Sequence, residues 1–375
     1  MKTVKILHCA DIHIGASESF LGEKAKGRRY ETLLTFERIV DIANSESVQL
    51  VALAGDIFDS NSSAEEFFGK VIEKIESVPH IKFIFSAGNH DPLTSHSPFI
   101  KRSLPENLFV FSGRDSVIRF DDLSLCIYGH SFESAFLKGN ESFSISPDEN
   151  YINLMVLHGD LRSDLNSEYN SVTDGFISRS GMDYIALGHI HKRTDILKSG
   201  NTYYAYSGCP EGQGFDETDT KGVYIGEIGK GICNLEFMPV AKRMHICENI
   251  DITGIPSNSD IASFILNLLS EKYSASFTDN LYKLTLTGTA FGEELSLTEI
   301  KTRLENSVYF VKLRDLSTPS IDFEELSKEA SLKGIFVKNM LKAINEASED
   351  EKESYEKALK LGLKAFIGEV SYNED

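Results

Sequence analysis

The sequence lacks the long apolar runs that mark membrane proteins. Its apolar stretches are only a few residues long, so we expect no transmembrane helix. The N-terminal stretch "MKTVKILHCADIHIG" is interrupted by His8 and Asp11, which is typical of a first β-strand and not of a signal peptide. We therefore expect a cytoplasmic protein that has no membrane contact.

Cysteine is scarce, and its spacing argues against two common uses. The chain has five cysteines, an odd number, and no two of them form a Cys-x-x-Cys pair. We therefore expect neither a disulfide framework nor a zinc knuckle, and we interpret the cysteines as buried free thiols.

Basic residues are also in deficit. The net charge is −19 at pH 7, and both the first 240 residues and the remainder are net negative. Neither part is a basic nucleic-acid module in bulk. Binding to a polyanion would therefore need a local basic patch, divalent metals or a partner protein.

Strand and helix patterns do alternate along the chain. The stretches "VKILHCA", "VQLVALAG" and "IKFIFSAG" read as buried strands, and the two intervening stretches have apolar residues at helical spacing. After residue 105, further strands separated by turns follow. We therefore predict an α/β fold in which two sheets pack face to face with helices outside, a four-layer α-β-β-α sandwich.

The pattern changes twice in the second half of the chain, so three regions are predicted. Residues 1–243 form the α/β domain, residues 244–320 a smaller α+β domain with β-α-β-α-β order, and residues 321–375 a helical tail. The stretch "SLKGIFVKNMLKAI" in the tail is amphipathic. That stripe indicates either internal packing or a docking surface.

Polar residues of one chemical kind follow the predicted strands of the first domain. They occur in "CADIHIG", "LAGDIFDS", "SAGNHDP", "VLHGD" and "LGHIHK". The residues are Asp11, His13, Asp56, Asp59, Asn89, His90, Asp91, His158, His189 and His191. Ligands of α/β sheets collect at the carboxyl ends of strands, so we expect these side chains to meet in one cleft. Carboxylates, imidazoles and an amide oxygen suit Mn²⁺, Fe²⁺ or Zn²⁺.

These five motifs, in this order, resemble those of the calcineurin-like metallophosphoesterase superfamily. The resemblance implies a first metal ion held by Asp11, His13, Asp56 and His191. It implies a second ion held by Asp56, Asn89, His158 and His189. In that pattern His90 protonates the leaving oxygen and Asp91 orients His90. Two divalent metals are implied, with Mn²⁺ as our first expectation and Fe²⁺ or Zn²⁺ as alternatives.

Within the superfamily, "DYIALGHIHKR" and "GRRYETLLTFERIVDIA" resemble bacterial DNA repair exonucleases of the SbcD and YhaO type. That branch implies hydrolysis of DNA, an SMC-like coiled-coil ATPase partner of the SbcC type, and a second domain that shapes DNA access. It also implies a homodimer. One departure concerns Asp59, because archaeal and eukaryotic members carry a second catalytic histidine at this position.

Basic residues near the motifs are candidate contacts to DNA phosphates. They are Arg28, Arg29, Lys192 and Arg193. The first two are equally consistent with a solvated helix start. Asp59 is likewise consistent with a solvated turn.

Two other functions remain open from the sequence. The same fold would serve a phosphodiesterase acting on small molecules or cyclic nucleotides. A scaffold without catalytic activity is the third reading, which the presence of every expected ligand residue disfavours.

Overall fold

The computed structural model describes residues 2–112, 116–137, 146–162, 167–290, 295–319 and 323–366. The chain divides into two compact units. The first comprises residues 1–248, 266–284 and 304–312, and the second comprises 249–265, 285–303 and 313–375. Among the described residues, no helix is long and apolar enough to cross a membrane.

The strands and helices have the following bounds. The strands are β1 (Thr3–Cys9), β2 (Leu50–Leu53), β3 (Lys82–Phe85), β4 (Leu108–Val110), β5 (Ser116–Phe120), β6 (Leu125–Gly129), β7 (Ile152–His158), β8 (Asp160–Leu161), β9 (Ser171–Val172), β10 (Tyr184–Gly188), β11 (Leu197–Ser199), β12 (Thr202–Tyr206), β13 (Gly222–Gly229), β14 (Ile232–Pro239), β15 (His245–Asp251), β16 (Leu281–Thr287), β17 (Thr289–Ala290), β18 (Phe310–Asp315) and β19 (Thr318–Pro319). The α-helices are α1 (Ala25–Ser45), α2 (Asn61–Glu76), α3 (Pro98–Lys101), α4 (Asp174–Arg179), α5 (Asn258–Tyr273), α6 (Leu297–Glu305), α7 (Phe323–Leu326), α8 (Leu332–Glu346) and α9 (Glu349–Phe366). Short 3-10 helices span Ser19–Lys24 and Ser274–Thr278.

Two six-stranded sheets form the centre of the first unit. One has the order β14-β13-β1-β2-β3-β4, and the other has the order β11-β12-β10-β7-β6-β5. Strands β1 to β4 are mutually parallel, as are β6, β7, β10 and β12. The carboxyl ends of β1, β2 and β3 therefore share one sheet edge, and those of β7 and β10 share another.

Successive side chains of the central strands point to opposite faces of the sheet, and each face packs against a different layer. In β1, Leu7 belongs to the apolar cluster that includes helical residues such as Phe36 of α1 and Val71 of α2. Its neighbour Ile6 points the other way, into a cluster with Val156 of the second sheet. A third cluster joins the second sheet to Ile177 of α4 and its surroundings. The predicted α-β-β-α sandwich is confirmed.

The helical tail has its own small core in the second unit. Helix α8 begins after Ser331, whose side chain accepts a hydrogen bond from the Gly334 N–H. Val337 of α8 is buried with Leu359 and Leu363 of α9. The amphipathic stripe of the tail is therefore used in internal packing. Residues 321–322 and 367–375 of the predicted tail lie outside the described residues.

Three strands of the predicted small domain form a sheet in the order β15-β16-β18, and β17 pairs with β19. The predicted boundaries at 243/244 and 320/321 stay a prediction. All five cysteines are free; Cys9, Cys126 and Cys209 are buried, whereas Cys247 is exposed.

The two sheets approach each other closely at Gly188, the last residue of β10. A Cβ at this position would overlap the carbonyl oxygen of Ala54, which follows β2 in the other sheet, and would crowd Ala10. Gly188→Ala should therefore lower the free energy of unfolding by about 2–3 kcal/mol, because backbone must move to relieve the overlap.

Gly69 provides the matched control, since it lies in α2 and a Cβ there would have open space around it. Gly69→Ala should raise the free energy of unfolding by roughly 0.5–1 kcal/mol. Urea unfolding of the metal-free protein measures both. Shifts of the same sign for the two variants would contradict the assigned contact between the sheets.

Candidate metal centre

The polar residues that follow the strands are held in place by backbone hydrogen bonds between neighbouring strand ends. After β1, the N–H of Asp11 donates to the carbonyl of Gly55 over 3.0 Å, and the N–H of His13 donates to the carbonyl of Asp56 over 3.0 Å. In the second sheet, the N–H of Gly159 donates to the carbonyl of Gly188 over 3.1 Å. These bonds fix the loops that carry the candidate ligands.

Several of these residues have a left-handed backbone, which is rare outside glycine. The φ angles are 53° at Asp11, 48° at His13, 50° at Asp56 and 102° at His189. Such conformations persist only where the surroundings enforce them, and they concentrate at functional sites. At Gly55 (φ 92°), a Cβ would overlap the ring of His158, so only glycine fits.

A first group of ligand-type atoms joins the two sheets. Single ligand atoms of Asp11, His13 and His191 all lie within 4.8 Å of one another. The Nε2 atoms of His13 and His191 are 3.1 Å apart, and His13 Nε2 is 3.7 Å from Asp56 Oδ2. These four residues are the set that the sequence predicts for a first ion.

A second group also includes Asp56. His158 Nε2 is 3.0 Å from Asn89 Oδ1 and 3.3 Å from Asp56 Oδ2. The other ring nitrogen, Nδ1, lies 3.0 Å from the Ala54 carbonyl. A carbonyl only accepts, so that contact places a proton on Nδ1, and Nε2 is the nitrogen that faces Asn89 and Asp56. The His189 ring lies beside it, with its centroid 5.1 Å from the His158 centroid.

Two buried carboxylates, Asp11 and Asp56, set the charge of the site. Burial alone would raise the pKa of Asp56, but the imidazoles of His158 and His13 hold that pKa well below its usual range. Burial opposes protonation of His158, yet Asp56 and Asp11 raise the pKa of its imidazole to about 9. The site therefore attracts positive charge.

This donor set fits divalent cations. It combines carboxylate oxygens, an amide oxygen and imidazole nitrogens, and the described residues contain candidate His/Asp metal sites. Asp56 belongs to both groups, because its Oδ2 atom lies near both His13 Nε2 and His158 Nε2.

His90 lies at the exposed side of the groups. Its backbone N–H donates to Asp56 Oδ1 over 2.9 Å, and its ring lies edge-on to His13 with centroids 4.7 Å apart. Its Nδ1 lies 2.9 Å from the carbonyl of Asp59. Ligand atoms of His13, Asp56 and His90 also fall within 4.8 Å.

The structure gives Asp91 a contact set different from the predicted one. Its carboxylate accepts hydrogen bonds from the backbone N–H groups of Ile57, Phe58 and Gly88. Within the described residues no hydrogen bond joins it to the ring of His90. Burial first, and then the charge of Asp56, raises the pKa of Asp91 to about 6. The orienting position beside His90 belongs to the Asp59 carbonyl, and Asp91 shapes the loops around it.

The structure contradicts the prediction that Arg28 contacts DNA. Its side chain is 1% exposed and forms ion pairs with Glu18, Glu31 and Glu211. It also donates to the carbonyl of Gly212 over 2.8 Å. A guanidinium whose donors are all directed into the protein cannot contact a phosphate, so the prediction is wrong for Arg28.

The other three basic residues differ in their contacts within the protein and in their exposure to solvent. Arg29 donates to the Gly15 carbonyl over 2.8 Å and pairs with Glu66 over 2.6 Å. The guanidinium of Arg193 stacks over the Phe237 ring, 4.3 Å from its centroid. Lys192 is exposed. Their roles in DNA contact stay predictions.

Two acidic residues outside the expected ligand sets contact histidines of the site. The Asp59 carboxylate lies 3.5 Å from His13 Nδ1, in addition to the contact of its carbonyl with His90. Glu217 Oε1 lies 2.6 Å from His191 Nδ1. Asp59 comes three residues after Asp56 in the same stretch, so its position was available from the sequence. Glu217 is 26 residues from His191, and no local spacing links the two.

The burial of Arg28 leads to a stability prediction. Arg28→Met should lower the free energy of unfolding by about 3–5 kcal/mol, because three acidic side chains then lose a buried partner. Lys26→Met, an exposed change in the same segment, should alter it by no more than about 0.5 kcal/mol. Chemical denaturation measures both. Equal stability of the two variants would show that Arg28 is not the centre of a buried network.

The sequence matches a known protein family and is similar to several known proteins. Residues 4–193 match the calcineurin-like phosphoesterase family. The chain is 29% identical over 298 residues to the uncharacterized metallophosphoesterase YhaO of Bacillus subtilis, with 76% of this chain and 72% of that protein covered. It is 22% identical over 364 residues to the DNA double-strand break repair protein Mre11 of Saccharolobus solfataricus, with coverages of 93% and 92%.

A component of the nuclease SbcCD of Staphylococcus epidermidis is 23% identical over 268 residues, with 63% of this chain and 70% of that protein covered. The family match spans more than half of the chain and contains every predicted metal ligand. The resemblance seen in the five motifs is confirmed. The chain therefore belongs to the calcineurin-like phosphoesterase family, a family of phosphoester hydrolases.

Proposed function

We propose that this protein is a metal-dependent DNA nuclease that hydrolyses phosphodiester bonds with two divalent ions. The observation that carries the proposal is the sharing of Asp56 between two groups of ligand-type atoms. One group reaches His191 and the other reaches His158 and Asn89. Two-metal sites that cleave phosphate esters are built in this way.

In this proposal the first ion is held by Asp11, His13, Asp56 and His191. The second is held by Asp56, Asn89, His158 and His189. Mn²⁺ is the proposed metal, with Fe²⁺ and Zn²⁺ as alternatives that suit the same donors. When bound, such an ion pair makes water nucleophilic near neutral pH and neutralises charge on the phosphate.

His90 is the proposed general acid. It is exposed beside the ligand groups, where a leaving oxygen would reach it. Its Nδ1 lies on the Asp59 carbonyl, so Nδ1 carries a proton and Nε2 is the nitrogen that exchanges one with substrate. Asp91 contributes indirectly, since it fixes the backbone at Ile57, Phe58 and Gly88.

DNA is the proposed substrate because several relatives carry the names of DNA repair nucleases. The net charge of −19 opposes association with DNA by the chain alone. We therefore propose an SMC-like coiled-coil ATPase of the SbcC type as a partner that supplies DNA-binding surface. Lys192, Arg29 and Arg193 are the proposed local phosphate contacts. A homodimer and a location in the cytoplasm complete the proposal.

A cleavage assay tests the function. The full chain is incubated with Mn²⁺ and end-labelled single- and double-stranded DNA, with and without the candidate ATPase. Parallel reactions contain cyclic nucleotides. Cleavage of DNA that EDTA abolishes is the expected result. Hydrolysis of cyclic nucleotides without cleavage of DNA would contradict the proposal and favour a small-molecule phosphodiesterase. Metal binding without any hydrolysis would favour a scaffold.

His90→Gln separates the role of an acid from that of a ligand. We expect the variant to keep the metal content of the wild type and to lose about 10²–10⁴-fold in turnover, because only proton transfer is removed. Elemental analysis of the purified protein and the DNA cleavage rate measure the two quantities.

The control is His80→Gln, an exposed histidine outside the motifs, which should leave both quantities unchanged. If the metal content of His90→Gln fell along with its turnover, His90 would be a ligand and the assignment would be wrong.

A further inference from the structure

The segment between β12 and β13 closes around His191. It lies beyond residue 193, where the family match ends. The backbone N–H of Cys209 donates to the His191 carbonyl over 3.2 Å, and Lys221 Nζ donates to the same oxygen over 3.0 Å. We call Cys209, Gln213, Glu217 and Lys221 the His191 clasp. Two donors therefore hold the backbone of this candidate ligand from outside the shared motifs.

The clasp also holds the imidazole. Glu217 Oε1 lies 2.6 Å from His191 Nδ1. An ionised carboxylate only accepts hydrogen bonds, so Nδ1 carries the proton. The opposite nitrogen, Nε2, is 3.1 Å from His13 Nε2 and presents its lone pair to the ligand group. The contact with Glu217 thus selects the tautomer that can bind a metal ion.

The 2.6 Å distance between Glu217 Oε1 and His191 Nδ1 also argues against a separate metal site. Ligand atoms of His191, Cys209 and Glu217 lie close enough together to suggest a separate metal site. Two ligands of one tetrahedral zinc ion lie roughly 3.3 Å apart, given bonds of about 2.0–2.1 Å. The 2.6 Å separation of Glu217 and His191 is that of a hydrogen bond.

Glu217 is itself held rigidly by the rest of the clasp. Its second oxygen, Oε2, accepts from the backbone N–H of Gln213 over 2.9 Å and from Cys209 Sγ over 3.3 Å. Lys221 Nζ lies 3.9 Å away from it. The Glu217 side chain is 14% exposed. Both oxygens are therefore engaged, and the carboxylate cannot rotate away from His191 without breaking several contacts.

We propose that Glu217 is a positioning residue that fixes the orientation and tautomer of His191, and through it the affinity of one of the two metal ions. The inference rests on the proposed two-metal function. It adds a residue outside the family's matched region to the apparatus of the site. Partners of metal-bound histidines typically contribute about 10–100-fold to metal affinity.

Mn²⁺ binding to the full chain, followed by electron paramagnetic resonance of the free ion, tests the proposal. Glu217→Gln keeps the shape of the side chain but removes its charge and offers an amide donor to Nδ1. We expect one of the two Mn²⁺ ions to bind about 10–100-fold more weakly and the other to bind as in the wild type. Glu217→Asp retains a carboxylate and should lose less affinity. Asp216→Asn, an exposed neighbour, should bind both ions normally.

Several outcomes would overturn the proposal. One is equal Mn²⁺ affinity in Glu217→Gln and the wild type. Another is an equal loss at both ions together with a lower unfolding midpoint of the metal-free protein, which would make the role structural. A loss in Glu217→Asp as large as that in Glu217→Gln would also contradict it. Because the readout is metal binding, a wild type that binds two Mn²⁺ but does not cut DNA would contradict the nuclease function alone.

Discussion

Burial of two carboxylates, Asp11 and Asp56, is the constraint on which the rest of the site depends. They are 0% and 2% exposed, and charge removed from water is costly unless it is compensated. The compensation comes from imidazoles on both sheets, above all His158, whose pKa these carboxylates raise. Divalent cations would compensate the same negative charge by binding the same carboxylate and imidazole atoms. The site therefore requires both sheets, which explains why they approach so closely at Gly188.

The backbone conformation of the loops places these charged side chains in a defined arrangement. Three candidate ligands, Asp11, His13 and Asp56, lie on left-handed backbone directly after β1 and β2. Backbone N–H groups that donate to the carbonyls of neighbouring loops, and to the Asp91 carboxylate, hold these turns. The left-handed conformations of these three residues therefore lie in loops that follow parallel strands, and not in the strands themselves. Side chains beyond the loops, Glu217 and Asp59 among them, then set the ring orientations.

The sequence predicted what local spacing encodes. Each motif follows a buried strand, so a common cleft could be expected from strand topology, and the resemblance to the family implied that Asp56 meets His158 and His191 there. Arg28 could not be placed correctly, because its partner Glu211 lies 183 residues away and nothing local distinguishes it from its exposed neighbour Lys26. The same limit applies to Glu217. The contacts of Asp91 could not be predicted either, because two of the N–H groups that donate to it, those of Ile57 and Phe58, lie 34 and 33 residues away.

A crystal structure of the protein grown with Mn²⁺, with anomalous scattering to locate the metal, tests the central claim most directly. The account predicts two anomalous peaks about 3.5–4 Å apart with Asp56 between them. One peak should contact Asp11, His13 and His191, and the other should contact Asn89, His158 and His189. A single peak, or two peaks without a shared Asp56, would contradict the account.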